Sequence, residues 1–334
     1  STLSPSSAAS DVYKRQDFDK FLEKSFKGEK VAIVSGRGPS NHLHIGHLML
    51  FNFNKWLQDV LNTTIYIPLS DDEKYVFGKV RHLKDAWKFG IENAIDIIAL
   101  GFKKGKTFFY FSTQLKEVYE LSVRLSRHLT FNTIRATFGL DLSANAGIVF
   151  YTSVQAAHIL LPEYLNDEYV IVPIAIDQDP YMRLTRDIAE GLNLEKPAAL
   201  YSKYVTGLTG QPMSASIPET SIFVTDDEKT IRHKIWNALT GGRATIKEQR
   251  KLGGEPDKCV VFEWLKLFVF KDRKESEEHK RKCLSGELLC GECKKMLTNY
   301  MIKVLREHWE KREKIKDEIE DYFLHDLDKI MKYL

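Results

Sequence analysis

The segment His44-Ile45-Gly46-His47 sets two imidazoles three residues apart, with a glycine between them, where an apolar-periodic stretch begins. At that spacing the rings fall on one helix face, and each can donate a ring N–H to a phosphate oxygen. A helix start adds free backbone N–H groups and the positive end of the helix dipole, which favour an anion at the same place. Gly46 leaves room for an adenine or ribose to approach the backbone. Capping or surface histidines could carry the same letters, so the motif gains meaning only from its surroundings.

Two other runs concentrate polar chemistry: Asp71-Asp72-Glu73-Lys74-Tyr75 and Asp177-Gln178-Asp179-Pro180-Tyr181. Carboxylates suit a helix start, and a solvated N-capping turn is the plain alternative for each. The four cysteines, Cys259, Cys283, Cys290 and Cys293, are separated by 23, 6 and 2 residues. The C-x₂-C pair can present two thiolates to one metal, and thiolate ligation suits either Zn²⁺ or an iron–sulfur cluster. Against that, Cys259 opens the run CVVFEWL, where a buried small residue serves as well. Few cysteines in a long chain argue against a disulfide scaffold.

The elements that must position these residues follow a βαβ rhythm. Val31–Val34 is a continuous apolar run, as expected of a strand buried on both faces of a parallel sheet. It ends in the loop Ser35-Gly36-Arg37-Gly38-Pro39-Ser40. A helix over 48–61, a second buried strand at Thr64–Leu69, a helix over 86–100, a strand over 107–112 and a helix over 116–129 continue the pattern. A further strand over 169–176 precedes a helix over 181–192 and a loop over 205–218, after which strand-like runs fade into helical ones. The expected architecture is α/β, a Rossmann-like doubly wound parallel sheet over 17–220, followed by an α-helical region over 221–334. Residues 1–16, Ser- and Ala-rich and aperiodic, are expected to be a non-native or disordered leader outside the fold. The net charge of +3 and 43% apolar content are those of an ordinary globular chain. No apolar stretch approaches the ~20 residues of a membrane span, and a cytoplasmic location is the expectation.

Together these segments resemble the class I aminoacyl-tRNA synthetases, in particular the tryptophanyl subgroup of archaeal and eukaryotic type. His44 to His47 match the family's HIGH motif letter for letter, and Gly36-Arg37-Gly38-Pro39-Ser40 and the two acidic runs match in order and spacing across about 30–320. The resemblance implies ATP-dependent activation of tryptophan to its adenylate and transfer to the terminal ribose of tRNA(Trp), by a homodimer. It implies catalytic contacts to phosphate from His44 and His47, with Mg²⁺ sharing the charge. It places Arg37, Gly38, Pro39, Gly46, Met213, Ser214 and Ser216 around ATP, and Gly36, Glu73, Gln155, Asp177 and Gln178 around the amino acid. The helical region would bind the anticodon. Similar cysteine spacing occurs in members that hold a [4Fe–4S] cluster near that site, which implies a role for Cys259, Cys283, Cys290 and Cys293 in bracing the region.

The chain departs from the family at four positions. The mobile signature loop, KMSAS in this subgroup, reads Pro212-Met213-Ser214-Ala215-Ser216. Loss of a charge-assisted contact of the kind the lysine makes costs roughly 10²–10³ in rate. Val34 and Pro68 stand where tyrosine and glutamine hydrogen-bond the indole N–H, and Met182 where an aromatic residue is usual. A site built to hydrogen-bond its substrate discriminates by roughly 10⁴–10⁵, an apolar pocket by far less. These departures motivate a rival reading: a weakened or re-specified paralogue acting on another amino acid or as an RNA-binding regulator. A small-molecule nucleotidyltransferase that uses HxGH is a third reading, and it explains neither the helical region nor the run at 177–181.

Overall fold

The unbroken apolar runs form the middle of a six-stranded sheet in the computed structural model, which describes residues 12–202 and 205–333. Strand β1 (Val12–Gln16) leads into helix α1 (Phe18–Phe26), and β2 (Val31–Val34) into α2 (Ile45–Leu61). Then follow β3 (Thr64–Leu69), α3 (Asp71–Val76), α4 (Leu83–Ile98), β4 (Thr107–Phe111), α5 (Lys116–Ser126), α6 (Phe131–Phe138) and α7 (Ala146–Asn166). β5 (Tyr169–Ala175), α8 (Asp179–Ala189) and β6 (Ala198–Ser202) complete this part.

The spatial order is β1-β6-β5-β2-β3-β4, with every pair parallel except β1 against β6. Ile33 lies opposite both Ile65 and Ile171, and all four residues of β2 are buried. Alternate side chains serve opposite faces of the pleat. Ala32, Val34, Tyr66 and Tyr110 enter a core with Tyr151, Val154 and Leu160 of α7 and with Met182 and Ile188 of α8. The strand order reverses between β2 and β5. In open α/β sheets, ligands bind at such a switch point, outside the carboxyl ends of the strands.

The chain compacts into two units. One holds 12–41, 54–202 and 314–333, and the other 42–53 and 205–313. The second unit carries α9 (Glu228–Trp236), α10 (Ile246–Leu252), α11 (Val260–Trp264), a π-helical turn at Leu265–Val269, α12 (Arg273–Leu284) and most of α13 (Cys290–Ile315). Its fully buried side chains include Ile231, Ile235, Trp264, Leu297 and Met301. The short α14 (Asp328–Met331) belongs to the sheet unit.

Three features depart from the sequence reading. Val12–Gln16, set aside with the leader, is an edge strand: Arg15 and Gln16 pair with Leu200 and Ala199, while residues 1–11 lie outside those described. The partner strand Ala198–Ser202 is too short and too rich in small residues to show a periodic signal. The last segment also returns to the sheet unit rather than continuing the helical region, because Phe323 stacks on Phe109 and Phe111 at 5.6 and 5.8 Å. His325 Nε2 there accepts the Phe111 N–H at 2.9 Å.

Candidate active site

Beyond its last residue, β2 keeps following β3. Arg37 N–H donates to Pro68 O at 2.8 Å, and Ser70 N–H donates to Arg37 O at 3.0 Å. This pairing carries Gly36, Arg37 and Gly38 onto the turn that opens α3. The Arg37 guanidinium donates to Asn93 Oδ1 at 2.9 Å and to Asn41 O at 3.3 Å. Burial lowers its pKa to about 10 against the opposing pull of Glu73. In this geometry Arg37, assigned to ATP from the sequence, ties the loop to α4. Pro39 is buried and Gly36 is exposed.

The acidic turn divides its labour by burial. Asp71 is fully buried and accepts from Trp87 Nε1 at 2.9 Å and from both the hydroxyl and the N–H of Thr113. Burial raises its pKa to about 6, and the charge of Asp72 adds to the rise. Asp72 accepts from Tyr119 Oη at 3.0 Å and from Glu73 N–H at 2.9 Å. The two aspartates thus anchor the turn. Glu73 is left partly open, paired with Lys74 Nζ at 2.8 Å. A Cβ on Gly38 would lie 1.9 Å from Lys74 Cε and 2.8 Å from Glu73 Oε2, so the close approach of loop and ion pair requires glycine there.

β5 ends in a 3₁₀ turn at Ile176–Gln178, in which Gln178 Nε2 donates to Asp177 Oδ2 at 2.8 Å. Asp179, at the start of α8, is held by Lys14 at 3.2 Å and Arg183 at 2.6 Å and is an anchor. Gln155 is half-buried on α7, one turn beyond Tyr151, whose hydroxyl bonds Ser70 and lies within electrostatic range of Glu73. Because β2, β3 and β5 are parallel, the segments holding Gly36, Arg37, Gly38, Glu73, Asp177 and Gln178 share one rim of the sheet. Acceptors there suit an α-ammonium taken out of water. Val34, Pro68 and Met182 are buried, and Val34 and Met182 sit in the same apolar core as Tyr151.

The second unit holds the other signature segments. His44 precedes α2 rather than lying in it, and its backbone forms a bridge to Phe223. Ile45 N–H donates to Ile222 O at 2.9 Å, and Val224 N–H to Leu43 O at 3.0 Å. The rings of His44 and His47 stack with centroids 3.7 Å apart. His44 N–H donates to His47 Nδ1 at 3.1 Å, which leaves Nε2 as the protonated nitrogen of a neutral His47 ring. A Cβ on Gly46 would fall 2.9 Å from Met213 Sδ and 3.2 Å from the His44 ring, so the histidine motif and the signature loop lie against each other. In that loop Ser214 Oγ and Ser216 Oγ are 2.8 Å apart, and Ser214 N–H donates to Thr220 Oγ1 at 3.0 Å. Pro212 bridges to Thr206, and its ring offers no donor.

Cys259, Cys283, Cys290 and Cys293 line one small cavity with His279 and Phe262. Among the described residues no group of three or more metal-binding side chains stands in the geometry of a bound ion, so the expected cluster or Zn²⁺ has no coordination geometry behind it. The residues that sequence reasoning missed are Lys74 and Tyr151. A lysine inside an acidic run was the available signal for the first. The second had none, being one apolar-looking residue within a long buried helix.

The class I tRNA synthetase model for tryptophan and tyrosine (W and Y) matches residues 27–306. The tryptophan–tRNA ligase of Thermococcus sibiricus is 43% identical over 313 residues, 93% of this chain and 80% of that protein. The tryptophan–tRNA ligase of Pyrobaculum calidifontis is 45% identical over 316 residues, 93% and 84% of the two chains. Among solved structures, tryptophanyl-tRNA synthetase from Giardia lamblia superposes with a TM-score of 0.87 at 32% identity, covering 96% of this chain and 89% of that one. The enzyme from the hyperthermophilic archaeon Aeropyrum pernix gives 0.86 at 33%, covering 93% and 86%. On the family match and these relatives, the chain belongs to the class I tRNA synthetases of the tryptophan and tyrosine group.

Proposed function

We propose that the chain is a tryptophan–tRNA ligase, which joins tryptophan to ATP as the adenylate, releases pyrophosphate and passes the amino acid to tRNA(Trp). The observation that carries this reading is the switch-point rim, where the Gly36-to-Gly38 loop, the Glu73–Lys74 pair and Gln178 follow three adjacent parallel strands. Ligase relatives matching 93% of the chain support it and do not favour a non-catalytic paralogue.

In the reaction, the tryptophan carboxylate attacks the α-phosphorus of ATP in line, and the protein contributes placement and charge stabilisation. Glu73, Gln155 and Gln178 hold the α-ammonium, with Gly36 and Asp177 at the edge of that pocket. His44 and His47 contact the phosphates, the His47 ring being fixed by the His44 N–H at its Nδ1. Gly46 admits the nucleotide, and Met213, Ser214 and Ser216 cover it from the signature loop. Mg²⁺ would supply counter-charge to the phosphates. The enzyme would work as a homodimer in the cytoplasm. Among the described residues no helix is long and apolar enough to cross a membrane.

The four thiols fit a thiolate-bound group by the chemistry of the donor set. Burial and the neighbouring Cys283, Cys259 and Cys290 push the Cys293 thiol up to about 12, and Cys283 is raised in the same direction. These shifts favour neutral thiols, and a bound cation would draw the protons off and hold the sulfurs as thiolates. Gly242 and Gly254 leave space against the sulfurs, since a Cβ on either would meet Cys290 or Cys283 Sγ at 2.7 and 2.8 Å. Cys259, Cys283, Cys290 and Cys293 would hold a [4Fe–4S] cluster or Zn²⁺, which would brace the helices that carry them.

Amino-acid-dependent ATP–pyrophosphate exchange, run with each of the twenty amino acids, tests the main reading. Exchange with tryptophan followed by charging of tRNA(Trp) is the expected result. Exchange only with another amino acid would transfer the reading to that substrate, and exchange with none would end it.

A further inference from the structure

The signature loop stands on a base formed by the segment that precedes it. Gly207 N–H donates to Gln211 O at 2.7 Å and Leu208 N–H to Thr220 O at 2.8 Å, while Thr206 bridges to Pro212. The Thr206 peptides are gripped from α11. Trp264 Nε1 donates to Thr206 O at 2.8 Å, and Thr206 N–H donates to Glu263 Oε1 at 3.4 Å. Trp264 is wholly buried, so its indole is fixed by packing before it makes this bond.

The opposite end of the same short helix is Cys259. Its Sγ accepts the Phe262 N–H at 3.4 Å as the N-cap, and it lines the four-thiol cavity. Val260, Val261, Phe262 and Trp264 are all buried. A five-residue helix so enclosed moves as one piece, because close-packed interiors transmit a shift rather than absorb it. Thr206, Cys259, Phe262 and Glu263 also line one further cavity between loop base and helix. Helix α11 runs into the π-helical turn at Leu265–Val269, a form that adjusts register in place of regular packing.

We propose that Trp264 and Glu263 are positioning residues for the signature loop, and that α11 links the loop's grip on ATP to the setting of Cys259 in the four-thiol site. The proposal rests on the ligase reading for its activity readout and on the loop geometry alone for its structural one. Trp264→Phe keeps an aromatic ring but removes the pyrrole part of the indole with its N–H, leaving a buried carbonyl without its donor and some space beside it. In tryptophan-dependent exchange it raises the KM for ATP about tenfold with the KM for tryptophan unchanged. Hydrogen exchange of the native protein shows the Gly207, Leu208 and Gly210 amides losing protection, while Ile33 and Ile65 in the sheet keep theirs. Glu263→Gln acts in the same direction to a smaller extent. Cys259→Ser also raises the KM for ATP, and the double variant Cys259→Ser/Trp264→Phe is no worse than Trp264→Phe alone, the mark of two residues acting through one path.

Unchanged loop protection in Trp264→Phe, or a loss of protection shared equally by the sheet, overturns the positioning role. Additive effects of Cys259→Ser and Trp264→Phe overturn the link. If no variant and no wild-type preparation exchanges pyrophosphate, the ligase reading fails, while the amide protections still decide the loop's dependence on Trp264.

Discussion

At the scale of single residues, the site is decided by which of several equivalent letters is buried. Asp71, Asp72 and Glu73 are adjacent carboxylates, and only Glu73 keeps access to solvent, as partner of Lys74. The raised pKa of Asp71 has a consequence for stability. Its folded value near 6 lies above the ordinary 3.8, so its contribution is fully present below pH 3.8 and is lost as pH rises through 6. That loss amounts to about 3 kcal/mol by linkage. Asp71→Asn removes the titrating group and retains an acceptor for Trp87. Its denaturant stability is expected to decline less from pH 4 to 7 than that of the wild type, with the raised Asp72 and Glu163 carboxyls still contributing a slope; parallel profiles would show that Asp71 does not ionise in this window. Pro212 is the other residue-scale question. Pro212→Lys supplies the cation that family members place there, and kcat of pyrophosphate exchange is expected to rise about tenfold or more. An unchanged kcat would mean that another group already meets the phosphates.

At the scale of elements, the loop after β2 and the turn into α3 form one device, since Arg37 hydrogen-bonds along β3 on both sides. Gly38→Ala tests that device. The inserted Cβ meets the far end of a flexible lysine rather than backbone, so melting should shift little. The Glu73–Lys74 pair must open, however, and the KM for the amino acid in exchange is expected to rise several-fold. A fall in melting temperature without a kinetic change would show the pair to be structural. On α2, the helix begins one residue after His44, so the two imidazoles meet by stacking across the helix start rather than by lying side by side on one helix face.

At the scale of the whole molecule, chain order and spatial order part company. The sheet unit takes residues from 12–41, 54–202 and 314–333, so its stability depends on a segment more than a hundred residues beyond its last strand. Phe323→Ala removes the ring that stacks on Phe109 and Phe111. A loss of about 2 kcal/mol is expected for this half-buried ring, less than a fully buried one would cost. The readout is thermal unfolding followed with a probe in the sheet unit, and an unaltered midpoint would show that the terminal segment docks without stabilising it.

The amino-acid sequence by itself determined the parallel strands β2, β3 and β5, because strands buried on both faces must be apolar throughout, and it therefore determined which loops share a rim. The motif His44-Ile45-Gly46-His47 and the two acidic runs were legible for the same reason: each sits directly after such a strand or at a helix start. Only the tertiary structure decided that Arg37 braces a loop, that Lys74 reaches Gly38 and that Val12–Gln16 completes the sheet. It also decided that four cysteines spread over 35 residues line one cavity. These outcomes depend on which distant backbone or side chain fills the space beside a residue, and local periodicity carries no record of that neighbour.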